Sequence, residues 1–440
     1  MVEAPTFAIY TLGCKVNQYD SNQMARWMRE QGFRQVDFHQ PADAYIIDTC
    51  TVTNMADRKS RKAVSRAARN NPHAVIAVTG CAAEWAAAQF RRMVKEAIVV
   101  GNGRKRELPA LIAEVVRSKG DFPLLHGLRR PADTPYAMPV ASRQRAVLKV
   151  QDGCNRHCTF CLIPRTRGKP YSRPMEEVVE EARAMVAHGA KEIVLTGVIL
   201  GWYGGDLPGH RKRLAELLRA MEAIDGLERI RLSSLDPRDL TDDLVEVMAG
   251  SRKICPHLHL CAQSGSDAVL RAMRRGYTAA EFAEWVRRFR AAIPHLGLTT
   301  DMIVGFPGET EEQFQETMAF AQQMRFSAMH VFPFSARPGT PAATLPHPVP
   351  PSTIARRAKQ LGALARELSA LYARRYIGKT VEILVEQRDA AAGTYEGLTD
   401  TYVRVIATGG APSVGEIVGV TIQDWQVDHL TGKGGKWALV

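Results

Sequence analysis

Eight cysteines stand at positions 14, 50, 81, 154, 158, 161, 255 and 261, and their spacing is where chemistry first shows. Cys154, Cys158 and Cys161 form C-x3-C-x2-C within DGCNRHCTFC. Three thiolates on one tight loop can hold three irons of a [4Fe-4S] cube and leave the fourth iron open, unlike the four-cysteine sets that close electron-transfer clusters. A structural zinc site with His157 as fourth ligand is the competing reading, but zinc ribbons pair their ligand knuckles and the second knuckle is missing. An iron with an open position asks for a ligand.

Cys14, Cys50 and Cys81 are 36 and 31 residues apart, yet each closes a strand-like run: TFAIYTL (6–12), AYIIDT (44–49) and AVIAVT (74–79). In a parallel sheet the three thiols meet at one edge, where doubly wound folds gather their ligands. A second three-thiolate site is the economical reading, although any one of these cysteines alone reads as a buried small hydrophobe. Cys255, before Pro256, and Cys261, at the end of HLHLC (257–261), have no such placement and read as core thiols.

The elements that position these residues follow from hydrophobic periodicity. Helical patterns near 20–31, 57–69, from about 84, and 105–117 alternate with the first strands and a short strand near 97–100, which predicts a small doubly wound α/β domain over 4–118. Residues 119–144, with four prolines and no clear period, read as a linker. Strands at 146–151, 192–196, 229–234, 257–261, 299–305 and 328–334 alternate with helices at 175–188, 212–223, 239–249, 266–274, 279–292 and 311–324. Six such units predict a partial (β/α)6 barrel over 140–372 with its chemistry at the C-terminal strand ends. A proline-rich stretch and a long basic helix (353–374) lead into short alternating strands, 381–386 and 401–407 among them, read as an OB-like β-barrel over 375–440.

With 45% hydrophobic and 24% charged residues the composition is that of an ordinary globular protein. The opening MVEAPTFAIYTLG has no basic segment followed by an apolar run, and no 18-residue apolar stretch occurs, so the chain reads as cytoplasmic and its thiols as reduced. A net charge of +12 argues for a polyanionic partner. Arg58, Lys59, Arg61, Lys62, Arg66 and Arg69 stripe one helix after Cys50, and Arg165, Arg167, Lys169 and Arg173 follow Cys161. Both stretches read as phosphate-binding or as solvated surface.

The C-x3-C-x2-C loop, with aromatic Phe160 before its third cysteine and placed after the first barrel strand, resembles the radical S-adenosylmethionine (SAM) superfamily. Two three-cysteine sets followed by a small basic barrel, together with TLGCKVNQYDS, DTCTVTNMADRKSR, VTGC, LTGVILGWYG, RLSSLDP, QSGSD, TDMIVGFPGET and FPFSARPGTPA, resemble the methylthiotransferases over nearly the whole chain. The terminal segment looks like a TRAM domain. The resemblance implies two [4Fe-4S] clusters, held by Cys14, Cys50 and Cys81 and by Cys154, Cys158 and Cys161. It also implies SAM as both methyl donor and source of a 5′-deoxyadenosyl radical.

For SAM binding it implies Phe160, Gly197, Ser233, Ser234, Gln263 and Ile303. The superfamily's G-x-I-x-G-x-x-E is imperfect, with Asp301 at the first glycine position and Glu309 one residue late. GCKVNQ, TCTVT, QDGC and HLHL look most like the branch that methylthiolates C2 of N6-threonylcarbamoyladenosine (t6A) at tRNA position 37, in the anticodon loop. The sister branches act on isopentenyladenosine in tRNA or on a ribosomal-protein aspartate. Arg337, with Arg165 second, is the expected partner of a substrate carboxylate, and Tyr395 and Tyr402 the expected aromatics of the RNA-binding barrel. A flavodoxin or ferredoxin is the expected reductant, and the sulfur donor is unspecified. A radical SAM RNA methylase with a structural N-terminal domain and a non-enzymatic iron-sulfur RNA-binding protein remain as alternatives.

Overall fold

The computed structural model describes residues 4–119, 145–209, 211 and 213–435, so the linker expected over 119–144 lies, but for its first residue, outside the described residues. The chain forms two compact units: Met1–Val140 with Asp152–Pro170 and Ser335–Ala343, and Ala141–Gln151 with Tyr171–Phe334 and Thr344–Val440.

The first unit is built on β1 (Thr6–Thr11), α1 (Lys15–Glu30), β2 (Arg34–Gln35), β3 (Ala44–Thr49), α2 (Asn54–Asn70), β4 (Val75–Gly80), α3 (Cys81–Met93), β5 (Ile98–Val99) and α4 (Leu108–Lys119). The segment after Asp152 adds the single turn α5 (Ile163–Thr166). Its five strands are parallel in the order β2-β1-β3-β4-β5. Every residue of β3 and β4 is buried, as expected of strands covered on both faces. Phe7, Ile46 and Ala77 pack with Met24, Met28, Ile112 and Val116, while Tyr45, Ile47 and Val78 pack on the other face with Val64, Ala67 and Phe90. Each Val, Ile, Phe and Met side chain among them contributes about 1.5–3 kcal/mol by leaving water. The strand order reverses between β1 and β3, and that crevice is where doubly wound sheets place ligands. Three helices of this unit start earlier than expected: α1 at Lys15 rather than near Asp20, α2 at Asn54 rather than at 57, and α3 at Cys81 rather than near Glu84.

The second unit opens with β6 (Arg145–Lys149), β7 (Gln151–Asp152) and β8 (Tyr171–Ser172). It continues through α6 (Met175–Ala187), β9 (Glu192–Thr196), α7 (Leu214–Glu222), β10 (Arg229–Leu232), β11 (Ser234–Leu235), α8 (Asp242–Gly250) and β12 (His257–Leu260). Then come α9 (Asp267–Ala272), α10 (Ala279–Ala292), β13 (Gly297–Val304), α11 (Glu311–Met324), β14 (Ala328–Pro333) and α12 (Pro351–Arg374). The sheets β6-β9-β10 and β11-β12-β13-β14 are parallel throughout. With β10 and β11 as one strand interrupted at Ser233, they make the expected six-stranded partial barrel. Capping boxes at Thr278 and Thr310 start α10 and α11 where the periodicity placed them.

A closed barrel of β15 (Thr380–Asp389), β16 (Thr394–Thr399), β17 (Arg404–Thr408), β18 (Ile417–Trp425) and β19 (Leu430–Gly434) completes this unit, with strand order β15-β16-β17-β19-β18. It seats against the N-terminal ends of the parallel strands. Arg231, paired with Glu192 at 2.6 Å, donates to the carbonyls of Asp400 at 2.7 Å and Thr399 at 3.0 Å. Tyr402 stacks on His257 with ring centroids 5.0 Å apart. The strand expected over 401–407 begins only at Arg404, because Tyr402 adopts a left-handed φ of 72° that ends any strand there. Tyr395 lies in the barrel core, so the structure corrects the expectation that these two tyrosines form an RNA-stacking platform.

Candidate functional site: two thiol triads and a barrel rim

Cys14 is the N-cap residue of α1, Cys50 follows β3, and Cys81 is the first residue of α3. The earlier helix starts therefore put two of the three thiols at helix N-termini, where unpaired N–H groups and the helix dipole favour negative charge. Gly13, at φ 98°, brings the chain so close that a Cβ there would lie 2.9 Å from the Cys50 sulfur. Gly80, at φ 93°, likewise leaves no room for a Cβ, which would sit 2.3 Å from the Thr49 carbonyl. Burial pushes the Cys50 thiol up to about 12, and the neighbouring Cys81 and Cys14 push it further in the same direction. Burial raises the Cys14 thiol as well, and buried thiols of this kind suit a metal centre, whose positive charge removes their protons.

Polar side chains frame this triad. Asn17 donates to the carbonyls of Leu12 at 2.8 Å and Thr49 at 3.0 Å, tying the loops after β1 and β3 together. Asn102 donates to the Thr166 carbonyl at 2.7 Å and to the Cys81 sulfur at 3.7 Å. Arg167, its side chain 1% exposed, forks onto Asp152 at 2.9 Å and donates to Asn17. Burial opposes its charge, but Asp152, Cys81, Asp20 and Cys14 surround the guanidinium and hold its pKa well above the ordinary value. Beneath lies Lys105, buried between Asp20 at 2.9 Å and Asp48 at 3.1 Å; burial opposes its charge, and the two carboxylates raise its pKa. Among the four basic residues after Cys161, Arg167 and Arg173, the latter paired with Glu181 at 2.6 Å, are thus internal ion-pair partners. Arg165 and Lys169 remain exposed.

The second triad occupies a loop of the same unit. The Cys154 sulfur accepts from the Arg156 N–H at 3.3 Å and the Cys161 sulfur from the Ile163 N–H at 3.4 Å, while the Cys161 N–H bonds the Cys158 carbonyl at 3.1 Å. Sulfurs that accept backbone hydrogen bonds fit cluster thiolates, whose charge such bonds stabilise. Phe160 is half-buried on this loop. Arg337 donates to Asp57, to Asn54 and, at 2.5 Å, to Thr51. Asp57 already supplies the carboxylate that the sequence reading reserved for a substrate. Arg165 is exposed and lies over Trp85, 5.7 Å from the ring centre.

In the second unit the residues expected to bind SAM stand at the C-terminal rim of the parallel strands. Gly197 follows β9, and a Cβ there would meet the Gln151 side chain at 2.9 Å. That amide oxygen accepts from the Ile199 N–H at 2.9 Å. Ser233, at the break between β10 and β11, is buried with no partner for its hydroxyl among the described residues, and Ser234 is half-buried beside it. A buried orphan hydroxyl at a strand end fits a ligand's polar group. Gln263 holds φ 67°, bonding through its N–H to Asp301 O and through its carbonyl to Ile303 N–H, each at 2.8 Å. Non-glycine residues held at positive φ cluster at binding and active sites. Glu309 accepts from the Gly305 N–H at 2.7 Å and pairs with Arg357 at 2.7 Å, fixing the turn after β13. Sequence reasoning missed one feature: Cys261 is only half-buried and lies beside His259 and Asp301, whereas Cys255 is the core thiol expected.

Three family models match the chain: the Radical SAM superfamily over residues 148–321, the uncharacterized protein family UPF0004 over 6–101, and the TRAM domain over 374–433. The chain is 40% identical over 426 residues to the threonylcarbamoyladenosine tRNA methylthiotransferase MtaB of Bacillus subtilis, covering 95% of this chain and 93% of that one. A protein of that name from Chlamydia pneumoniae is 36% identical over 432 residues, covering 98% and 97%. The tRNA-2-methylthio-N(6)-dimethylallyladenosine synthase of Carboxydothermus hydrogenoformans is 37% identical over 436 residues, covering 97% and 98%. Among solved structures, the radical SAM methyltransferase TsrM from Kitasatospora setae aligns with a TM-score of 0.57 at 14% identity, over 78% of this chain and 75% of that one, which shows a shared fold.

Proposed function

The chain belongs to the radical SAM methylthiotransferases acting on tRNA, and from that premise we propose that its substrate is t6A at position 37, whose C2–H it replaces by C–SCH3. The observation that carries the reading is the gathering of both three-cysteine sets in one compact unit, with Arg167 of the second loop bonded to Asn17 beside the first. When bound, SAM and the two clusters would supply the electron, the radical, the methyl group and a carrier for sulfur from a separate donor, chemistry that no side chain provides. The choice of t6A rests on the motifs GCKVNQ, TCTVT, QDGC and HLHL and on the 40% identity to the Bacillus subtilis enzyme.

The chain's own residues bind, orient and exclude water. Cys14, Cys50 and Cys81 are to hold one cluster and Cys154, Cys158 and Cys161 the other, each set leaving one iron position to a non-protein ligand. Gly197, Ser233, Ser234, Gln263 and Ile303 offer a strand-end cradle for SAM, and the family resemblance adds Phe160, on the loop of the second cysteine set, as a SAM-binding aromatic. Arg165 is the side chain assigned to the threonylcarbamoyl carboxylate, since its guanidinium is exposed and oriented by Trp85. The polyanion is met by α2, where Arg58, Arg61, Lys62, Arg66 and Arg69 line a groove. A cytoplasmic flavodoxin or ferredoxin is the reductant that this chemistry calls for. Nucleoside analysis of tRNA from a strain lacking the gene tests the proposal: t6A should accumulate without its 2-methylthio form. Loss of methylthiolated isopentenyladenosine, with the t6A derivative intact, would overturn it.

A further inference from the structure

We propose that His259, Cys261 and Asp301 form a binding site for a divalent cation of the zinc class, distinct from both cysteine triads. The three offer an imidazole nitrogen, a thiol sulfur and a carboxylate oxygen, all within 4.8 Å of one another. His259 Nε2 lies 3.3 Å from Asp301 Oδ1, and Cys261 Sγ lies 3.8 Å from Asp301 Oδ2. One imidazole, one thiolate and one carboxylate make a borderline-soft donor set that suits Zn²⁺, with Co²⁺ or Fe²⁺ as substitutes.

The surroundings are those of a built ligand set. Thr299 Oγ1 stands 2.9 Å from His259 Nδ1 and 3.0 Å from His257 Nε2, and donates to the Leu258 carbonyl at 3.4 Å. A hydroxyl has one hydrogen and two lone pairs, so Thr299 can accept from both imidazoles while donating to the Leu258 carbonyl. With Nδ1 of His259 engaged by Thr299, Nε2 is the nitrogen turned toward Asp301 and Cys261. A second N–H bonded to a fixed oxygen is the usual support of a metal-ligating histidine.

The backbone is equally fixed. The Cys261 carbonyl accepts from Tyr277 Oη at 3.0 Å and from Arg275 at 3.2 Å, and its N–H bonds the Leu235 carbonyl at 3.2 Å. Strand pairing sets Thr299 opposite His259 and His330 opposite Asp301, so these residues share one face of the sheet. Leu258, Leu260, Leu298, Met302 and Val304, on the other face, are fully buried. All three ligands are half-buried, which leaves the cation a way in. Three protein ligands on rigid strands leave a fourth position for an oxygen or nitrogen donor, as in zinc sites that act on a ligand. Without a cation, a proton bridging His259 and Asp301 satisfies the same pair.

The test uses the full chain with both clusters reconstituted anaerobically, so that the six cluster cysteines are occupied. One equivalent of Zn²⁺ is added, excess is removed on a desalting column, and bound zinc is counted by mass spectrometry. About one zinc per chain is expected to remain, and its X-ray absorption fine structure should show one sulfur with two or three nitrogen or oxygen neighbours. Cys261→Ala and Asp301→Asn should each weaken zinc binding by at least ~100-fold, with iron content unchanged. Thr299→Val should weaken it ~10–100-fold through the lost orientation of His259. No retained zinc, a shell of three sulfurs, or zinc content unaffected by both ligand variants would overturn the assignment. The wild-type sulfur count decides even if a variant does not fold.

Discussion

Five cations of α2 are arranged for a polyanion, and the consequence can be worked out in numbers. Arg58, Arg61, Lys62, Arg66 and Arg69 line one groove, and among the described residues no carboxylate pairs with them. From Arg58 to Arg69 the helix advances about 16 Å, at 1.5 Å per residue. Replacing Arg58, Lys62, Arg66 and Arg69 by Gln removes four phosphate contacts at exposed positions. Each contact contributes roughly 0.7–0.9 to the slope of log affinity against log salt, so the slope should fall by about 3. Between 50 and 200 mM salt the wild type should therefore lose about 60-fold more affinity than the variant. Filter binding with tRNA at four salt concentrations reads this directly, with SAM cleavage as the control for an intact barrel. An unchanged slope would refute the assignment of α2 to the RNA backbone.

The cysteine triads separate by iron content. Replacing Cys14, Cys50 and Cys81 by Ala should leave about half the iron and spare 5′-deoxyadenosine formation while abolishing thiolation. Replacing Cys154, Cys158 and Cys161 should also leave about half the iron but abolish SAM cleavage, and full iron in either triple variant would contradict two three-thiolate sites. Arg337→Met strands the partly buried carboxylate of Asp57, and breaking such a pair costs about 3 kcal/mol, the low end because Asp57 keeps 22% exposure. The melting temperature should drop by roughly 6 °C or more with no substrate present. A variant that melts normally but binds t6A tRNA weakly would return Arg337 to the substrate.

The strands and the barrel were legible because their signals are local: β3 opens on the apolar run Ala44–Ile47, β9 spans the 192–196 run expected, and α10 and α11 carry capping residues. The starts of α1 and α3 were not legible. Cys14 and Gly80 stand where a serine, threonine, asparagine or aspartate would have signalled an N-cap, and neither gives a side-chain cap. Charge was the harder property to place. Arg58 and Arg167 look alike in the sequence, yet one faces solvent while the other is buried among Asp152, Asn17 and Asp20, because ion pairing depends on residues 15 to 150 positions away. Cys261 was misjudged for the same reason: His259 is only two residues away, but Asp301 meets it only through the pairing of β12 with β13. Tyr402 could not be read as a cover for His257 until the turn at 399–403 was seen.

The central claim is methylthiolation of t6A, and purified enzyme tests it most directly. Cluster-loaded protein is incubated with SAM, a reductant and a sulfide source. Equal amounts of two unmodified-at-C2 tRNAs are present, one carrying t6A and one carrying isopentenyladenosine at position 37. The RNA is then digested to nucleosides and the masses are read. The account predicts conversion of t6A to its 2-methylthio derivative, with isopentenyladenosine left as it was. Conversion of isopentenyladenosine alone, or of neither nucleoside while 5′-deoxyadenosine accumulates, would contradict it.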